Sequence, residues 1–281
     1  MGARCTPAAT TTIALMAFLG VVWTGGAVHI PAGGYLYAEH HNDLMMPADG
    51  ITVEGWFYLD EYPAEGAFLA PLITKPGSYS IVLVDRPKFG LARVVDPGPY
   101  VQLNFWDHDS HAIDGRLFCG GFRGRSAWSI PDANPVPAGE WMHVAFEMRD
   151  RQGDALTSYY LNGGRLVGRG QWSHVGEWDA PLYVGGMPEP NPCFPWTQHV
   201  SWPGSVDAIR VSRGARYDQD LFVPERDLHV DEDTIALWRL DGLADAHADL
   251  SGNGHALVSG GSLPVSPRPK LATTWGMLRT P

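Results

Sequence analysis

Residues 141–170 read WMHVAFEMRDRQGDALTSYYLNGGRLVGRG, and this stretch decides the fold. Met142, Val144, Phe146 and Met148 alternate with His143, Ala145, Glu147 and Arg149, the period-2 pattern of a strand whose two faces differ. The polar run Asp150 to Asp154 carries Gly153 and turns the chain. Asn162-Gly163 then supplies two residues that accept positive φ, which a tight type I′ hairpin requires. The expectation is a strand, a turn, a second strand, a hairpin and a third short strand.

Working outward, further strands are expected at Gly34–Ala38, Ile51–Leu59, Pro71–Lys75, Tyr79–Val84, Phe89–Val95, Tyr100–Phe105, Leu182–Gly185, Ser205–Ser212 and Thr234–Leu240. Turn chemistry separates them, as at Pro76-Gly77, Asp96-Pro97-Gly98-Pro99 and Gly252-Asn253-Gly254. The 33 Gly and 23 Pro follow no period and form no low-complexity block, which suits many short strands joined by turns. No amphipathic segment of helical period is long enough to mark a major helix. The chain of 281 residues is within the size of a single all-β domain. The predicted fold class is all-β, a two-sheet antiparallel sandwich.

Several motifs resemble the laminin-G-like domains of the concanavalin A-like lectin/glucanase superfamily. Trp141-Met-His143-Val144-Ala145 and Tyr160-Leu-Asn162-Gly163 are similar to that family's central strand and hairpin. Ile51-Thr-Val-Glu-Gly-Trp-Phe57 resembles its early strand, and Leu182-Tyr-Val-Gly-Gly186 its strand with a closing glycine pair. Gly204-Ser-Val-Asp-Ala-Ile-Arg-Val-Ser212 resembles the motif that closes the jelly roll. Thr234 to Asp241 and Asp249 to Gly254 are similar to a flanking strand and its Gly-rich turn. The resemblance implies a jelly-roll sandwich over residues 28–261, acting as a recognition module for a carbohydrate or for a cell-surface protein, with a glycoside hydrolase that uses dispersed acids as the third alternative.

Two stretches depart from the family pattern and read as loop insertions: Trp106 to Pro137 and Met187 to Pro203. Insertions at the ends of a sandwich are where specificity is usually carried. Cys119 falls in the first and Cys193 in the second. In an exported protein these two are expected to form a disulfide stapling the loops, worth roughly 4 kcal/mol for so long a loop. The alternative is two unpaired thiols.

Residues 1–27 read as a secretory signal peptide, with Arg4 in the positive region, an apolar run from Ile13 to Trp23, and small residues Thr24 to Ala27 for cleavage. The run is shorter than the roughly 20 residues a membrane helix needs, so no transmembrane segment is expected after its removal. The expected location is secreted, periplasmic or cell-surface. A net charge of -11 repels phosphate backbones and anionic lipids, so nucleic acid is an unexpected partner. Residues 262–281 form a Pro-rich C-terminal tail, extended in its first half.

No catalytic residue is singled out. Glucanase relatives place their acids in an alternating Glu-x-Asp-x-Glu strand so that all share one face, and no such run exists here; Glu225-Arg-Asp227 and Asp231-Glu-Asp233 are the nearest approaches. There is no Gly-x-Ser-x-Gly elbow, and His143 is expected to serve packing and a hydrogen bond. Asp107, Asp109 and Asp114 alternate with His108 and His111 in one loop, an oxygen-rich set that suits Ca²⁺; Asp207 is a separate Ca²⁺ candidate. The plain alternative is a solvated loop of turn-forming acids. The chain has 11 Trp, and Trp106, Trp128, Trp172, Trp178, Trp196 and Trp202 lie in or beside predicted loops. Trp106, Trp128, Trp196 and Trp202 are the candidate ligand-binding residues, able to stack on sugar faces. Trp56, Trp141 and Trp238 fall in strands and read as core.

Overall fold

Residues 50–59 alternate as the sequence demands, and the alternation sets the inside of the molecule. In the computed structural model Ile51, Val53, Phe57 and Leu59 are fully buried in one apolar core. The structure describes residues 26–45, 49–62, 68–76, 78–84, 100–103, 112–113, 116–117, 127–128, 136–149, 156–166, 179–188, 198–199, 201–217, 219–241 and 246–261. Within them the strands are, in chain order, β1 (Val28–His29), β2 (Tyr35–Ala38), β3 (Gly50–Leu59), β4 (Phe68–Lys75), β5 (Tyr79–Val84), β6 (Tyr100–Leu103), β7 (Ala112–Ile113), β8 (Arg116–Leu117) and β9 (Ala127–Trp128). They continue as β10 (Trp141–Arg149), β11 (Leu156–Leu161), β12 (Gly164–Leu166), β13 (Leu182–Val184), β14 (Gln198–His199), β15 (Gly204–Arg213), β16 (Thr234–Arg239), β17 (Ala246–His247) and β18 (Leu257–Gly260). The helical content of the described residues is a single 3-10 turn, Asn42–Leu44, and no helix there is long and apolar enough to cross a membrane.

Two large sheets form. The first runs β1-β15-β3-β10-β11-β12 with β16 beside β15, and the second runs β17-β18-β2-β13-β4-β5-β6-β9 with β14 beside β4. Pairing is antiparallel except for β14 on β4. Met142, Val144, Phe146 and Met148 of β10, Leu36 of β2, Ile81 and Leu83 of β5, and Leu182 and Val184 of β13 all join the same core. This is the expected all-β jelly-roll sandwich, with apolar side chains of two sheets interdigitating between them. The predicted hairpin is present: Asn162 sits at φ 51° and Gly163 at φ 78°, and Leu161 faces Gly164 across it.

Two bulges explain where the strand pattern breaks period 2. In β15 the residues that join the main core are Val206, Ile209 and Val211, an irregular spacing for one face. The register against β3 shifts between Val206, opposite Phe57, and Ile209, opposite Gly55. The extra residue restores inward pointing for Ile209 and Val211. Gly55 is needed beside it, because a Cβ there would lie 2.9 Å from the carbonyl oxygen of Ala208. In β4 a second shift falls between Pro71 and Ile73, and a bulge is where a strand tolerates proline. The strand therefore starts at Phe68, earlier than the sequence suggests. The expected strand Phe89–Val95 and turn Asp96 to Pro99 lie outside the described residues.

Trp56 and Trp141 are not core residues. They occupy outward positions of β3 and β10 and are half-buried, because the inward positions of the same strands are the odd-numbered residues of β3 and the even-numbered residues of β10. Trp238 is fully buried, as expected.

Candidate functional site

A cavity of about 540 Å³ opens at one end of the sandwich, lined by His29, Ile30, Ala32, Gly33, Asp60, Glu61, Pro71, Met187 and Ser201 to Pro203. Its walls come from four parts of the chain held by backbone bonds. Ile30 N donates to Gly204 O at 2.9 Å, Asp60 N to Pro203 O at 2.9 Å, and Trp202 N to Gly185 O at 2.7 Å. The Pro31–Gly34 turn closes through Gly34 N to Pro31 O at 2.8 Å, with Gly33 at φ 78°, and Ser201 Oγ donates to Gly34 O at 2.9 Å. The β4 bulge brings Pro71 to the rim. Both ends of the second insertion, Met187 and Ser201–Pro203, border this cavity.

Its lining mixes apolar surface with a few polar groups, the usual composition of a small-molecule site, and its volume lies in the usual range. His29 Nδ1 stands 3.6 Å from Asp60 Oδ2, both half-exposed. With Glu61 alongside, two carboxylates offer hydrogen-bond acceptors and the imidazole either role. Such groups suit a neutral polyhydroxyl ligand and repel an anionic one.

Trp202 is the predicted aromatic binder that the structure places here, but not as a stacking platform. It is fully buried. Its indole N–H donates to Tyr58 O at 3.2 Å, and its ring meets Phe57 edge-on with centroids 5.8 Å apart. Trp202 closes the cavity from the core side and has no free face for a sugar. Trp128 belongs to β9, whose backbone pairs with β6. Trp106, Trp172, Trp178 and Trp196 lie outside the described residues, as do Asp107, His108, Asp109, His111, Asp114, Cys119 and Cys193.

Asp207, the remaining metal candidate, sits in the β15 bulge and is 6% exposed. Its Oδ2 pairs with the Arg226 guanidinium at 3.1 Å. Burial pushes its carboxyl up to about 6, Arg226 opposes, and the Asp241 and Asp227 charges add to the rise. Arg226 in turn lies 4.2 Å from the Trp56 ring centre and 4.7 Å from that of Trp141, a cation–π arrangement. The Asp207 carboxylate thus faces an arginine across a charge contact. Among the described residues the group with metal-ligating atoms close together is a different one, His41, Asp43 and His255.

The outward face of the first sheet carries a buried polar network that sequence reasoning did not assemble. Residues 214–217 and 219–233 run back across that face. Beneath them Glu54 is fully buried; its Oε1 accepts from Arg210 Nε at 2.8 Å and its Oε2 lies 3.0 Å from His143 Nε2. Burial pushes the Glu54 carboxyl up, but His143, Arg210 and the Tyr217 hydroxyl more than offset this and hold it down at about 2. Glu147 accepts from Arg149 Nε at 2.8 Å and from Tyr217 N at 2.6 Å. Tyr217 stacks on Phe222 with centroids 3.9 Å apart. Glu54, Glu147 and Arg210 are sealed beneath protein and Arg149 is partly exposed at the margin; together they hold the crossing segment down. His143 plays the packing and hydrogen-bonding part expected of it. The signal in the sequence was the presence of Glu54, His143, Glu147 and Arg210 on the outward positions of three strands.

Comparison with known proteins follows the fold. The Laminin_G_3 family model, described as the concanavalin A-like lectin/glucanases superfamily, matches residues 32–222. The chain is similar to a proposed carbohydrate binding protein from Bacteroides ovatus ATCC 8483, with 15% identity and a TM-score of 0.52, covering 83% of this chain and 59% of that one. It is also similar to domains LG4-5 of the mouse laminin alpha1 chain, with 14% identity and a TM-score of 0.43, covering 74% of this chain and 48% of that one. The chain thus spans less than two thirds of the length of either structure. No curated protein gives a significant sequence match.

Proposed function

The chain belongs to the concanavalin A-like lectin/glucanases superfamily, and from that premise we propose that it is an exported, non-catalytic carbohydrate-binding module. The observation that carries this reading is the cavity of about 540 Å³ at the end of the sandwich, with His29, Asp60 and Glu61 set among apolar walls. The carboxylates and the imidazole would hydrogen-bond sugar hydroxyls, while Ala32, Met187 and Pro203 cover apolar ring edges. The Bacteroides ovatus protein, proposed to bind carbohydrate, is consistent with the same class of ligand. Trp106, Trp128 and Trp196 belong to the proposal as stacking residues contributed by the two insertions. Ca²⁺ held by Asp107, Asp109 and Asp114 would order the first insertion, and a Cys119–Cys193 bridge would join it to the second.

Binding of the chain from Val28 to a broad glycan array, with Ca²⁺ and then with EDTA, tests the reading. Selective binding supports it, and loss of binding in EDTA supports the Ca²⁺ part. Silence in both conditions overturns it. The second reading, a protein-binding surface module, then gains ground from Leu221 and Val223, which are 72% and 91% exposed on the crossing segment.

A further inference from the structure

Three metal-ligating side chains meet where β2 and β18 run side by side, and the cavity uses none of them. Leu257 of β18 pairs with Ala38 of β2. That register sets His255, just before β18, beside His41 and Asp43, just after β2. His41 Nδ1 is 3.3 Å from Asp43 Oδ2, and the His41 and His255 rings are 4.7 Å apart, tilted by 60°. One ligating atom from each of the three residues lies within 4.8 Å of the other two.

A second observation points the same way. His255 is 6% exposed, and its Nε2 is buried with no hydrogen-bond partner. The polar groups around it are well served. Asp249 accepts from Leu237 N, Ser251 N and His255 N at 3.0, 2.9 and 3.2 Å, and Asn253 Nδ2 donates to Ile235 O at 2.8 Å. Buried polar atoms are nearly always satisfied, and an exception calls for a reason. The turn is therefore built firmly around an imidazole left with an orphaned nitrogen.

We propose that His41, Asp43 and His255 bind one divalent transition-metal ion. Two imidazoles and one carboxylate suit ions of the Zn²⁺, Ni²⁺ or Cu²⁺ class, whereas Ca²⁺ takes six or more oxygens. A tetrahedral ion with bonds of about 2.0–2.1 Å holds its ligand atoms about 3.3 Å apart. The His41–Asp43 separation already matches this, and a ligating nitrogen of His255 lies within 4.8 Å of both. Ligation at His41 Nδ1 would replace the long contact in which that atom accepts from Asp43 N at 3.2 Å. His41 and Asp43 are exposed, so an ion has an entry path and a fourth position open to water. Bound there, it ties the segment after β2 to the turn before β18, clipping residues more than 200 positions apart in the chain.

The test uses the full chain, stripped with EDTA and dialysed, then titrated with Zn²⁺ against a chromophoric chelator while thermal unfolding is followed. One equivalent should bind and raise Tm, and Ca²⁺ at the same concentration should leave Tm unchanged. His41→Ala and Asp43→Asn, both at exposed positions, should fold normally and weaken Zn²⁺ roughly tenfold or more. Cu²⁺ paramagnetic resonance should report two nitrogen ligands in the wild type and one in His41→Ala. Absence of a saturable equivalent in the micromolar range, or unchanged Zn²⁺ affinity in His41→Ala, overturns the proposal. Neither result bears on glycan binding, because the two sites share no residue.

Discussion

Glu54 shows how a single residue governs the outward face of the first sheet. It has no contact with solvent and touches His143, Arg210 and Tyr217 at once. Removing its charge leaves Arg210, itself only 4% exposed, without a counter-ion, and uncompensated buried charge is costly. Glu54→Gln is expected to lower stability by about 3 kcal/mol at neutral pH, read by urea denaturation. The pH dependence follows from its low carboxyl pKa. The ordinary value is 4.5 and the folded value about 2, so the contribution is complete above about pH 4.5 and is lost as pH falls toward 2. Wild type should lose more stability than Glu54→Gln between pH 6 and pH 3; parallel curves would show that the charge does not matter. Trp202 makes a contrasting case. Because its ring is buried against Phe57, Trp202→Ala should cost about 3–5 kcal/mol by the same assay. A loss of glycan binding with unchanged stability would instead put the ring on the ligand side.

At the scale of elements, the Asn162-Gly163 hairpin does more than reverse the chain. Phe222 N donates to Gly163 O at 3.0 Å and Arg165 N to Asp220 O at 2.9 Å, so the hairpin docks the segment that crosses the sheet. A Cβ on Gly163 would stand 1.9 Å from the carbonyl oxygen of Phe222, at a φ of +78°. Gly163→Ala therefore meets both backbone strain and a main-chain clash. It is expected to destabilise by roughly 2 kcal/mol or more, above the 1 kcal/mol or so expected for unfavourable φ alone. Proteolysis within 214–233 should speed up with it, since those residues lose their anchor; unchanged cleavage would mean the segment is held elsewhere. The turn was legible from two adjacent residues. Its docking role was not, because Phe222 lies almost 60 positions away and no local pattern links the two.

For the molecule as a whole, the binding prediction rests on the cavity that β1, β3, β4 and the second insertion form together. Asp60→Ala and His29→Ala should each weaken glycan binding roughly tenfold, the scale of one or two lost hydrogen bonds, with Tm nearly unchanged because both side chains are half-exposed. Equal binding by both variants would move the ligand site to another surface. The apolar run of residues 51–59, the alternation of residues 142–149 and the Asn162-Gly163 turn were enough to determine strands and the sandwich, since each depends on neighbours in the chain, whereas the outward placement of Trp56 and Trp141 was not read from them. The β15 bulge was foreshadowed by the uneven spacing of Val206, Ile209 and Val211, but only pairing with β3 located it. The burial of Trp202, the capture of Asp207 by Arg226, the sealing of Glu54 and the meeting of His41 with His255 were decided by tertiary structure alone. Most of these join groups from distant parts of the chain, as Glu54 and His143 do across 89 positions. Such contacts are set by how strands register and cross, and a linear pattern of residue types carries no direct record of that geometry.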